Sequence, residues 1–389
     1  SSTQTPFHVR RIVAEALGLP IEKIRVVKPR IGGGYGGKQA LHGEFLVSLV
    51  ALRTGKPAKL VYTRNEVFES TYCRHAMRFN VAIGSDKEGN IKAIDMDLLS
   101  NTGAYGEHAL TVFMVSGSKT LPLYNKVEAV RFGGKTVYTN LTPAGAYRGY
   151  GAIQGNFALE SAIDELAAKL GMDPVALRKK NMIGQGETSP IFKIMGEGTE
   201  GVDMIIESCK LDKCLERAME ISGWREKYPR KEVSKGKVRG IGSAIAMQGS
   251  GIPYIDMGSA IIKLNDQGFF NLLVGATDIG TGSDTVLAQI AAEALGVPTS
   301  KIVVYSSDTD LTPFDCGAYA SSTTYVSGNA VRKTALKMKE MIEEQGAIRL
   351  GVTKYDVLFD GENIKTKDGT KSISLKDLST ELYYNNNQK

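Results

Sequence analysis

Residues 14–27 read AEALGLPIEKIRVV, and residues 292–305 repeat this stretch as AEALGVPTSKIVVY. Each copy has the pattern of the end of an amphipathic helix, followed by a Gly-Leu-Pro or Gly-Val-Pro turn that stops the helix. A short segment rich in β-branched residues follows the turn and indicates a strand. The shared layout predicts that the chain is built from two related halves.

The helices of the two copies start from small, polar segments, residues 2–6 (STQTP) and 280–283 (GTGS). The N-terminus of a helix carries unpaired N–H groups and a partial positive charge, and both attract anions. We expect the two helix starts to face one shared cleft. This arrangement would make an anion-binding site.

A strand, a turn with glycine and a second strand are indicated twice, in residues 78–100 and 259–276. Apolar residues form one helical stripe over residues 154–170. Strands and helices mixed in this order predict an α+β fold. The boundaries that we predict are a first half at residues 1–221, a basic linker at 222–239 and a second half at 240–389.

The composition excludes several classes of protein. The chain has 389 residues, a formal net charge of +6 and 42% hydrophobic residues, which is typical of a folded globular protein. No apolar run reaches the roughly 18 residues that a membrane span needs, and no secretory signal is apparent. The charge is spread out and indicates no nucleic-acid partner. We therefore expect a cytoplasmic protein that contacts neither membrane nor nucleic acid.

Cysteine and histidine are too scattered to predict a metal site made by the protein alone. The four cysteines lie at positions 73, 209, 214 and 316, and no second cysteine pair or nearby histidine completes a zinc or iron–sulfur pattern. We interpret them as reduced thiols. Any metal would have to arrive inside a cofactor.

Small residues are concentrated in a few segments that could approach a ligand closely. These segments are residues 31–39 (IGGGYGGKQ), 144–154 (AGAYRGYGAIQ), 275–283 (GATDIGTGS) and 319–330 (YASSTTYVSGNA). The first has the spacing of a P-loop, but Gln39 replaces the hydroxyl residue that would bind magnesium. A plain glycine-rich turn is the alternative there.

Structural roles remain open for the polar residues of the other segments. Arg148 could bind an anion or merely anchor its turn. Asp278 could cap the helix that follows it, and the hydroxyl residues 321–324 could cap the next helix or hold phosphate oxygens.

The segments STQTP, GGGYGGKQ, AYRGYGAIQ with the helix after it, GATDIGTG and ASSTTYVSGNAV resemble a known family in their order and spacing. That family is the molybdenum-binding subunit of xanthine dehydrogenase and aldehyde oxidoreductase-type molybdenum hydroxylases. The resemblance covers nearly the whole chain. It implies a molybdenum-cofactor-binding domain of two related halves, with mixed sheets and flanking helices. It also implies molybdopterin, in bacteria often as the cytosine dinucleotide, which itself carries the molybdenum.

The activity implied by the resemblance is hydroxylation with a water-derived oxygen. The substrate would be an aromatic N-heterocycle, purine- or nicotinate-like, or an aldehyde. Electrons would leave through iron–sulfur and FAD centres, which we expect on partner subunits.

Site residues follow from the resemblance, motif by motif. Gln4 resembles the glutamine that hydrogen-bonds an oxygen on molybdenum, and Gly34, Tyr35 and Gly36 match the loop whose backbone borders the metal. The metal is held by the pterin, so we expect no residue of this chain to bind it directly.

The remaining positions concern the pterin and the substrate. Arg148 matches the arginine near the pterin, and Tyr150 matches an aromatic residue that packs on the substrate ring. Gln39 falls at a substrate-binding position. The residues that match positions at the pterin or its pyrophosphate are Thr281, Gly282, Ser321 and Ser322.

Three departures from the family pattern narrow the function. Gln39 replaces the glutamate of xanthine-oxidising members, and residues 114–118 lack their substrate arginine, so xanthine is disfavoured. Gly149 stands where carbon monoxide dehydrogenases have a cysteine, which argues against that activity. The sequence stops at YYNNNQK, before the family's catalytic Gly-Glu, and the pair Gly361-Glu362 reads as a hairpin turn.

We therefore expect no catalytic residue in this chain, and a partner chain or segment that supplies the general base. Two alternatives remain. The chain could be a non-catalytic molybdenum-cofactor-binding or maturation protein, or residues 32–38 could serve nucleotide hydrolysis.

Overall fold

The computed structural model of the chain describes residues 1–197 and 200–384. The predicted second half, 240–389, therefore ends in residues 385–389 that lie outside the described part. The helices are α1 Pro6–Leu17, α2 Glu44–Thr54, α3 Arg64–Ser70, α4 Ala109–Ser118, α5 Ala152–Leu170, α6 Pro174–Asn181, α7 Ile191–Ile194, α8 Leu211–Ser222, α9 Trp224–Lys227, α10 Ser283–Leu295, α11 Thr323–Leu350 and α12 Leu375–Tyr384. The strands are β1 Ala76–Ser85, β2 Ile91–Asn101, β3 Ala129–Val137, β4 Arg230–Ser234, β5 Lys237–Gly240, β6 Ala260–Leu264, β7 Phe270–Val274, β8 Ile302–Ser306, β9 Val357–Phe359, β10 Asn363–Thr366 and β11 Ser372–Ser374.

The chain forms two compact units. Unit 1 joins Ser1–Thr63 to Ser250–Lys389, and unit 2 is Arg64–Gly249. Helices and strands alternate in both units, which confirms the α+β fold class. The structure thus places the start of the predicted first half in the same unit as most of the predicted second half. The boundaries 1–221, 222–239 and 240–389 stay a prediction about sequence halves.

Unit 1 contains a three-stranded sheet in the order β6–β7–β8. Strands β6 and β7 form an antiparallel hairpin, and β8 runs parallel to β7 after the crossover helix α10. The hairpin predicted over residues 259–276 is confirmed. Phe270 of β7, Leu287 of α10 and Val331 of α11 are completely buried in one apolar core beneath this sheet. A second three-stranded sheet, β11–β10–β9, extends the same core.

The sequence repeat is also a structural repeat in its helix and turn, and both copies lie in unit 1. The predicted strand forms only in the second copy, as β8, whereas in the first copy Val27 makes an isolated bridge to Asp308, so the strand predicted there is wrong. Helices α1 and α10 end at Gly18 and Gly296, which adopt left-handed backbone with φ of 63° and 80°. In each copy the next residue donates a hydrogen bond of 2.9 Å back into the last turn, and a 3₁₀ turn follows, at Ile21–Lys23 and Thr299–Lys301. Glycine is needed at these two positions because a side chain disfavours left-handed backbone.

Unit 2 repeats the sheet topology of unit 1. Strands β1 and β2 form an antiparallel hairpin, and β3 runs parallel to β2 after the crossover helix α4. The predicted hairpin at residues 78–100 and the predicted helix at 154–170, observed as α5, are both confirmed. Leu159 and Ile163 of α5 are completely buried against Ile94 and Met96 of β2, and this packing builds the core of unit 2.

Residues 222–239, predicted as a linker, hold the short helix α9 and most of the hairpin β4–β5. Trp224 is 4% exposed and stacks on Tyr228 with ring centroids 4.5 Å apart. Its indole nitrogen donates to Asp173 at 2.9 Å. The segment is therefore packed into unit 2 through its tryptophan.

Two further observations concern the chain as a whole. The four cysteines carry free thiols. Among residues 1–197 and 200–384, no helix combines the length and the apolar character that crossing a membrane requires.

Candidate functional site

Some of the predicted site residues in each unit lie in loops that leave the carboxyl ends of a parallel strand pair. In unit 1 the pair β7 and β8 is followed by loops that contain Thr281 and Ser321. In unit 2 the pair β2 and β3 is followed by loops at 102–108 and 138–151, and the second contains Arg148 and Tyr150. Ligands of open α/β sheets bind at this end of the strands. The topology therefore supports a binding role for both sets of loops.

Gln4 joins two of the loops in unit 1. Its side chain is buried, its Nε2 donates to the carbonyl oxygen of Ala318 at 2.6 Å, and its Oε1 accepts from the backbone N–H groups of Gly36 and Lys38 at 3.0 and 3.3 Å. Its backbone also pairs with both loops, donating to Lys38 and accepting from Ala318 at 2.9 Å. A carboxamide has two acceptor lone pairs and two N–H donors. These contacts use both lone pairs and leave one Nε2–H for a ligand oxygen.

Gly34 lies directly against this carboxamide. A Cβ atom at position 34 would be 2.4 Å from Oε1 of Gln4, so only glycine fits without displacing the glutamine. The neighbouring Tyr35 has left-handed backbone and a side chain that is 61% exposed. Gly34 thus allows the loop to pack directly on the carboxamide, and the role of this loop beside a ligand stays a prediction.

A third loop joins the same assembly. The backbone N–H of Gly33 donates to the carbonyl oxygen of Ile279 at 2.6 Å. Beneath the junction, Ile31, Ile279 and Ala318 form a small buried cluster with one side chain from each loop. Unit 1 thus brings the segment around Thr281 together with the segments around Gln4 and Gly34, which lie far from it in the sequence.

Asp278 occupies the start of helix α10. Its carboxylate accepts from the backbone N–H groups of Gly280, Gly282 and Asp284 at 2.8, 3.2 and 3.1 Å. Although desolvation by burial acts in the opposite direction, these N–H donors and Lys28 hold the pKa of Asp278 below its ordinary value. The capping role that was left open for Asp278 is the one that the structure shows. An anion at Gly282 would therefore share this N–H group with a carboxylate.

Unpartnered hydroxyl groups lie next to this capped helix start. Within the described ranges, Oγ1 of Thr277 and Oγ of Ser283 are buried and have no hydrogen-bond partner. Thr281, in contrast, is exposed. Buried hydroxyl groups usually find a partner, so these two suit a ligand that brings hydrogen-bonding atoms. The segment 275–283 was predicted to approach a ligand, but Thr277 and Ser283 were not singled out within it, because nothing in their pattern separates them from ordinary loop residues.

Left-handed backbone precedes helix α11. Ala320 and Ser321 have φ of 51° and 54°, and their carbonyl oxygens accept from Gly251 N–H at 2.8 Å and Ser250 Oγ at 2.6 Å. Ser322 is buried at the N-cap position, but its hydroxyl donates to Tyr319 instead of capping the helix. The first N–H groups of α11 are therefore not capped by Ser322. A cavity of about 650 Å³ extends from Ser321 along α10 and α11.

The loop before helix α5 forms the predicted site of unit 2. Gly149, Tyr150 and Gly151 are three successive residues with positive φ, at 89°, 46° and 97°. A Cβ atom at Gly151 would lie 2.2 Å from the carbonyl oxygen of Val112, so the loop packs directly on the backbone of α4. This contact fixes the position of Tyr150 relative to α4.

Arg148 precedes this turn and is exposed. Its carbonyl oxygen accepts from Nη2 of Arg74 at 2.7 Å, and the Arg74 guanidinium lies 4.7 Å from the ring of Tyr147. The backbone of the loop is thereby anchored through Arg74.

The hydroxyl of Tyr150 has two side-chain partners on and before helix α4. It lies 2.5 Å from Nδ1 of His108 and 2.8 Å from Oγ1 of Thr111. Burial raises the pKa of Tyr150 and lowers that of His108. Burial also lowers the pKa of the neighbouring His75, to about 4. The tyrosine therefore stays protonated and both imidazoles are neutral near pH 7, and neither histidine was recognised from the sequence.

Three other sequence interpretations can be compared with the structure. Gln39 is half-buried beside the Gln4 junction, and its carbonyl oxygen accepts from Thr5 Oγ1 at 2.8 Å. The Gly361-Glu362 pair lies in the turn between β9 and β10, as predicted. No helix starts at Lys38, since α2 begins only at Glu44, and a P-loop requires a helix at that point.

The donor set of unit 1 fits a phosphate-bearing organic cofactor better than a bare metal ion. It consists of one amide N–H of Gln4, the hydroxyls of Thr277 and Ser283, and backbone N–H groups. In the described part of the chain, no three His, Cys, Asp or Glu side chains converge on a possible metal position. Neutral donors of this kind bind anions and pterin heteroatoms, whereas divalent metals prefer carboxylate, imidazole or thiolate.

Comparison with known proteins agrees with this chemistry. The sequence matches two domain families, each described as a molybdopterin cofactor-binding domain, over residues 1–182 and 217–389. It is 41% identical over 358 residues to the probable hypoxanthine oxidase XdhD of Escherichia coli, covering 92% of this chain and 37% of that protein. It is 37% identical over 391 residues to the putative xanthine dehydrogenase molybdenum-binding subunit XdhA of Escherichia coli, covering 99% and 50%.

A solved structure shares the fold. Quinoline 2-oxidoreductase from Pseudomonas putida 86 superposes with a TM-score of 0.83 at 24% identity, covering 98% of this chain and 50% of that chain. The chain spans half or less of the length of these relatives. With two molybdopterin cofactor-binding domains matched along most of its length, the chain belongs to the xanthine dehydrogenase and aldehyde oxidoreductase family of molybdenum-binding proteins.

Proposed function

We propose that the chain is the molybdopterin-binding part of a molybdenum hydroxylase. The substrate would be an aromatic N-heterocycle, purine- or nicotinate-like, or an aldehyde, which is hydroxylated with water-derived oxygen. The observation that carries the proposal is the junction at Gln4, where one buried carboxamide joins two loops and keeps an N–H to donate, while a third loop pairs with Gly33 beside it.

The residues of unit 1 would hold the cofactor. Gln4 would donate its remaining N–H to an oxygen on the metal, and the backbone of Gly34, Tyr35 and Gly36 would border it. When bound, the molybdenum cofactor supplies a two-electron redox centre that transfers a water-derived oxygen. The chain itself supplies orientation and hydrogen bonds.

Phosphate oxygens would be held at the starts of helices α10 and α11. The positions are Thr281, Gly282, Ser321 and Ser322, and we add the unpartnered hydroxyl of Ser283. Two helix N-termini supply positive partial charge without a metal. The cytosine dinucleotide form would use both, because its pyrophosphate carries the extra anionic oxygens.

Residues of unit 2, together with Gln39, would bind the outer part of the pterin and the substrate. Arg148 offers five fixed donors to the cofactor, and Tyr150 offers an aromatic face to the substrate. Gln39, which is neutral, disfavours xanthine. The 41% identical relative is named a probable hypoxanthine oxidase, which supports a purine-like substrate.

Partners would complete the enzyme. Because the relatives are at least about twice as long, another chain or segment would carry the rest of the molybdenum domain, including the general base. An iron–sulfur subunit and an FAD subunit would remove the electrons, and the complex would work in the cytoplasm.

Turnover in labelled water tests the proposal. The chain is produced together with its partner chains and incubated in H₂¹⁸O with hypoxanthine, nicotinate, quinoline or benzaldehyde and an electron acceptor. We expect one product to carry a single ¹⁸O atom, in a preparation that contains molybdenum and pterin. Cofactor without turnover of any of these compounds would favour the alternative, a non-catalytic cofactor-binding or maturation protein. Absence of both cofactor and turnover would refute the proposal.

A further inference from the structure

The hydroxyl of Tyr150 is enclosed by side chains that no sequence motif pointed to. His108 Nδ1 is 2.5 Å from this hydroxyl and Thr111 Oγ1 is 2.8 Å from it. The imidazole of His108 stands edge-on to the phenol ring, with centroids 5.4 Å apart and an interplanar angle of 80°. The ring of Tyr150 is therefore held at its polar end by two groups on one side.

The protons of this cluster can be assigned from its geometry. Nε2 of His108 lies 3.5 Å from the carboxylate of Glu107, so the neutral imidazole carries its proton on Nε2 and accepts at Nδ1. The Tyr150 hydroxyl is the donor to that nitrogen. The hydroxyl of Thr111 donates to the carbonyl oxygen of His108 at 3.1 Å, and the same proton can be shared with the tyrosine oxygen at 2.8 Å.

This assignment leaves the hydroxyl of Tyr150 without a proton for any ligand. A phenol has one proton, and His108 takes it. The part of the side chain that remains available is the apolar ring. Tyr150 can therefore present a face to a substrate but cannot donate a hydrogen bond to one.

The backbone keeps both partners in place. His108 and Tyr150 have left-handed backbone, with φ of 53° and 46°, which is uncommon for residues with bulky side chains. Such conformations persist only where the surroundings determine them. Here Gly151 packs against the carbonyl oxygen of Val112, one residue after Thr111, and so fixes the loop on the helix that carries the partners.

We propose that His108 and Thr111 are positioning residues that hold the Tyr150 ring at a fixed tilt, so that it stacks on flat aromatic substrates. The inference rests on the proposed function and narrows its substrate class to aromatic N-heterocycles over aliphatic aldehydes. A planar heterocycle gains stacking contact from a fixed ring face, whereas an aliphatic aldehyde offers no π-face.

Steady-state kinetics of the assembled enzyme test the inference with quinoline and propionaldehyde as probes. Removing one neutral hydrogen bond is worth about a fivefold to tenfold change in affinity. We expect Tyr150→Phe, His108→Ala and Thr111→Val each to raise KM for quinoline by about that factor, with little change in kcat. The KM for propionaldehyde should stay unchanged. His108→Asn should restore the quinoline KM, because its side-chain oxygen accepts near the position of Nδ1.

A double-mutant comparison separates positioning from general damage. In the Tyr150→Phe background, His108→Ala should add nothing further to the quinoline KM, since the hydroxyl it binds is already gone. The matched control is Tyr228→Phe, which removes the hydroxyl of a tyrosine that stacks on Trp224. This variant should change neither KM. If the His108→Ala protein does not assemble into the enzyme, the quinoline KM values of Thr111→Val and Tyr150→Phe test the inference.

The outcomes distinguish this inference from the proposed function. Unchanged quinoline KM in Tyr150→Phe and Thr111→Val, in an enzyme that still hydroxylates, would overturn the positioning role alone. Equal effects on quinoline and propionaldehyde would overturn it as well. A complex without cofactor or turnover would instead refute the proposed function.

Discussion

Units 1 and 2 share the same three-stranded topology, but the loops next to it carry different chemical groups. In each, a hairpin is followed by a crossover helix and a third strand parallel to the second. In unit 1, the polar groups at the start of α10 are backbone N–H groups, hydroxyls and the capping carboxylate of Asp278. At the start of α4 in unit 2, His108 and Thr111 bind a tyrosine hydroxyl. The difference shows that the shared scaffold fixes where a loop lies, while the loop sequence decides which chemistry it offers.

The glycines near the two candidate sites make room for different groups. In unit 1, Gly34 makes room for a buried side chain, Gln4, which can move if the fit worsens. In unit 2, Gly151 and Gly155 make room for backbone, since Cβ atoms there would approach carbonyl oxygens of α4 to 2.2 and 1.9 Å. Backbone of a helix cannot yield as a side chain can. Substitution should therefore cost more at Gly151 and Gly155 than at Gly34.

The largest effect is expected for Gly155→Ala. Its Cβ would meet the carbonyl oxygen of Ser116 and force α4 and α5 apart, which should lower the free energy of unfolding by about 3 kcal/mol. Gly133→Ala, where nothing lies within 4 Å of the added carbon, is the matched control. Urea unfolding of the assembled protein, followed by circular dichroism, measures both. If the two variants unfold alike, the close backbone contact in unit 2 is wrong.

Gln4→Ala should have the next largest effect. It removes three side-chain hydrogen bonds and leaves buried backbone groups of two loops unpaired, so we expect a loss of about 2 kcal/mol in unfolding free energy. The molybdenum content should fall in parallel. Gln267→Ala, at an exposed turn, should change neither quantity. Unfolding and metal content that match those of Gln267→Ala would show that Gln4 does not hold the loops together.

Arg148→Ala should lower turnover or cofactor content by about tenfold, because the guanidinium offers a fixed fork of hydrogen-bond donors to the cofactor. Arg78→Ala, an exposed arginine of β1, is the control. Turnover number and molybdenum content are measured on the same preparations. Equal values for the two variants would remove Arg148 from the site.

The smallest effect concerns Asp278, and it depends on pH. Its folded-state pKa lies below the unfolded value of about 3.9, so its stabilising contribution is present above that pH and is lost as the pH falls through the folded pKa. Asp278→Asn should therefore lower the unfolding free energy by about 1 kcal/mol at pH 7, and the difference should shrink below about pH 4. Urea unfolding at several pH values measures it. A difference that is constant from pH 7 to pH 3 would contradict the assignment.

Local patterns were sufficient to predict some of the regular elements, but not the helix and hairpin within residues 222–240. The repeated segment, both hairpins and the helix at 154–170 follow from apolar periodicity and from glycine at turns. The pairing of distant segments could not be predicted this way. Arg25 and Asp308, for example, form a two-point ion pair across 283 residues of sequence, next to a bridge between Val27 and Asp308.

Site residues could be predicted where they belong to a recognisable sequence motif, and could not be predicted elsewhere. Gln4 and Gly34 stand in recognisable segments, and the structure places them in contact. The cap made by Asp278 at Gly282 depends on the folded path of one loop, and sequence alone left it as one of two options. His108 and Thr111 became visible only through the position of Tyr150, because a histidine and a threonine before an apolar helix have no distinctive pattern.

The central claim is that this chain binds a molybdenum-carrying pterin through the loops joined by Gln4. Native mass spectrometry of the assembled complex, combined with metal analysis, tests it most directly. The account predicts molybdenum and a pterin nucleotide in equal amounts in the wild-type complex, and a marked loss of both in Gln4→Ala. A complete complex that contains neither molybdenum nor pterin would contradict it.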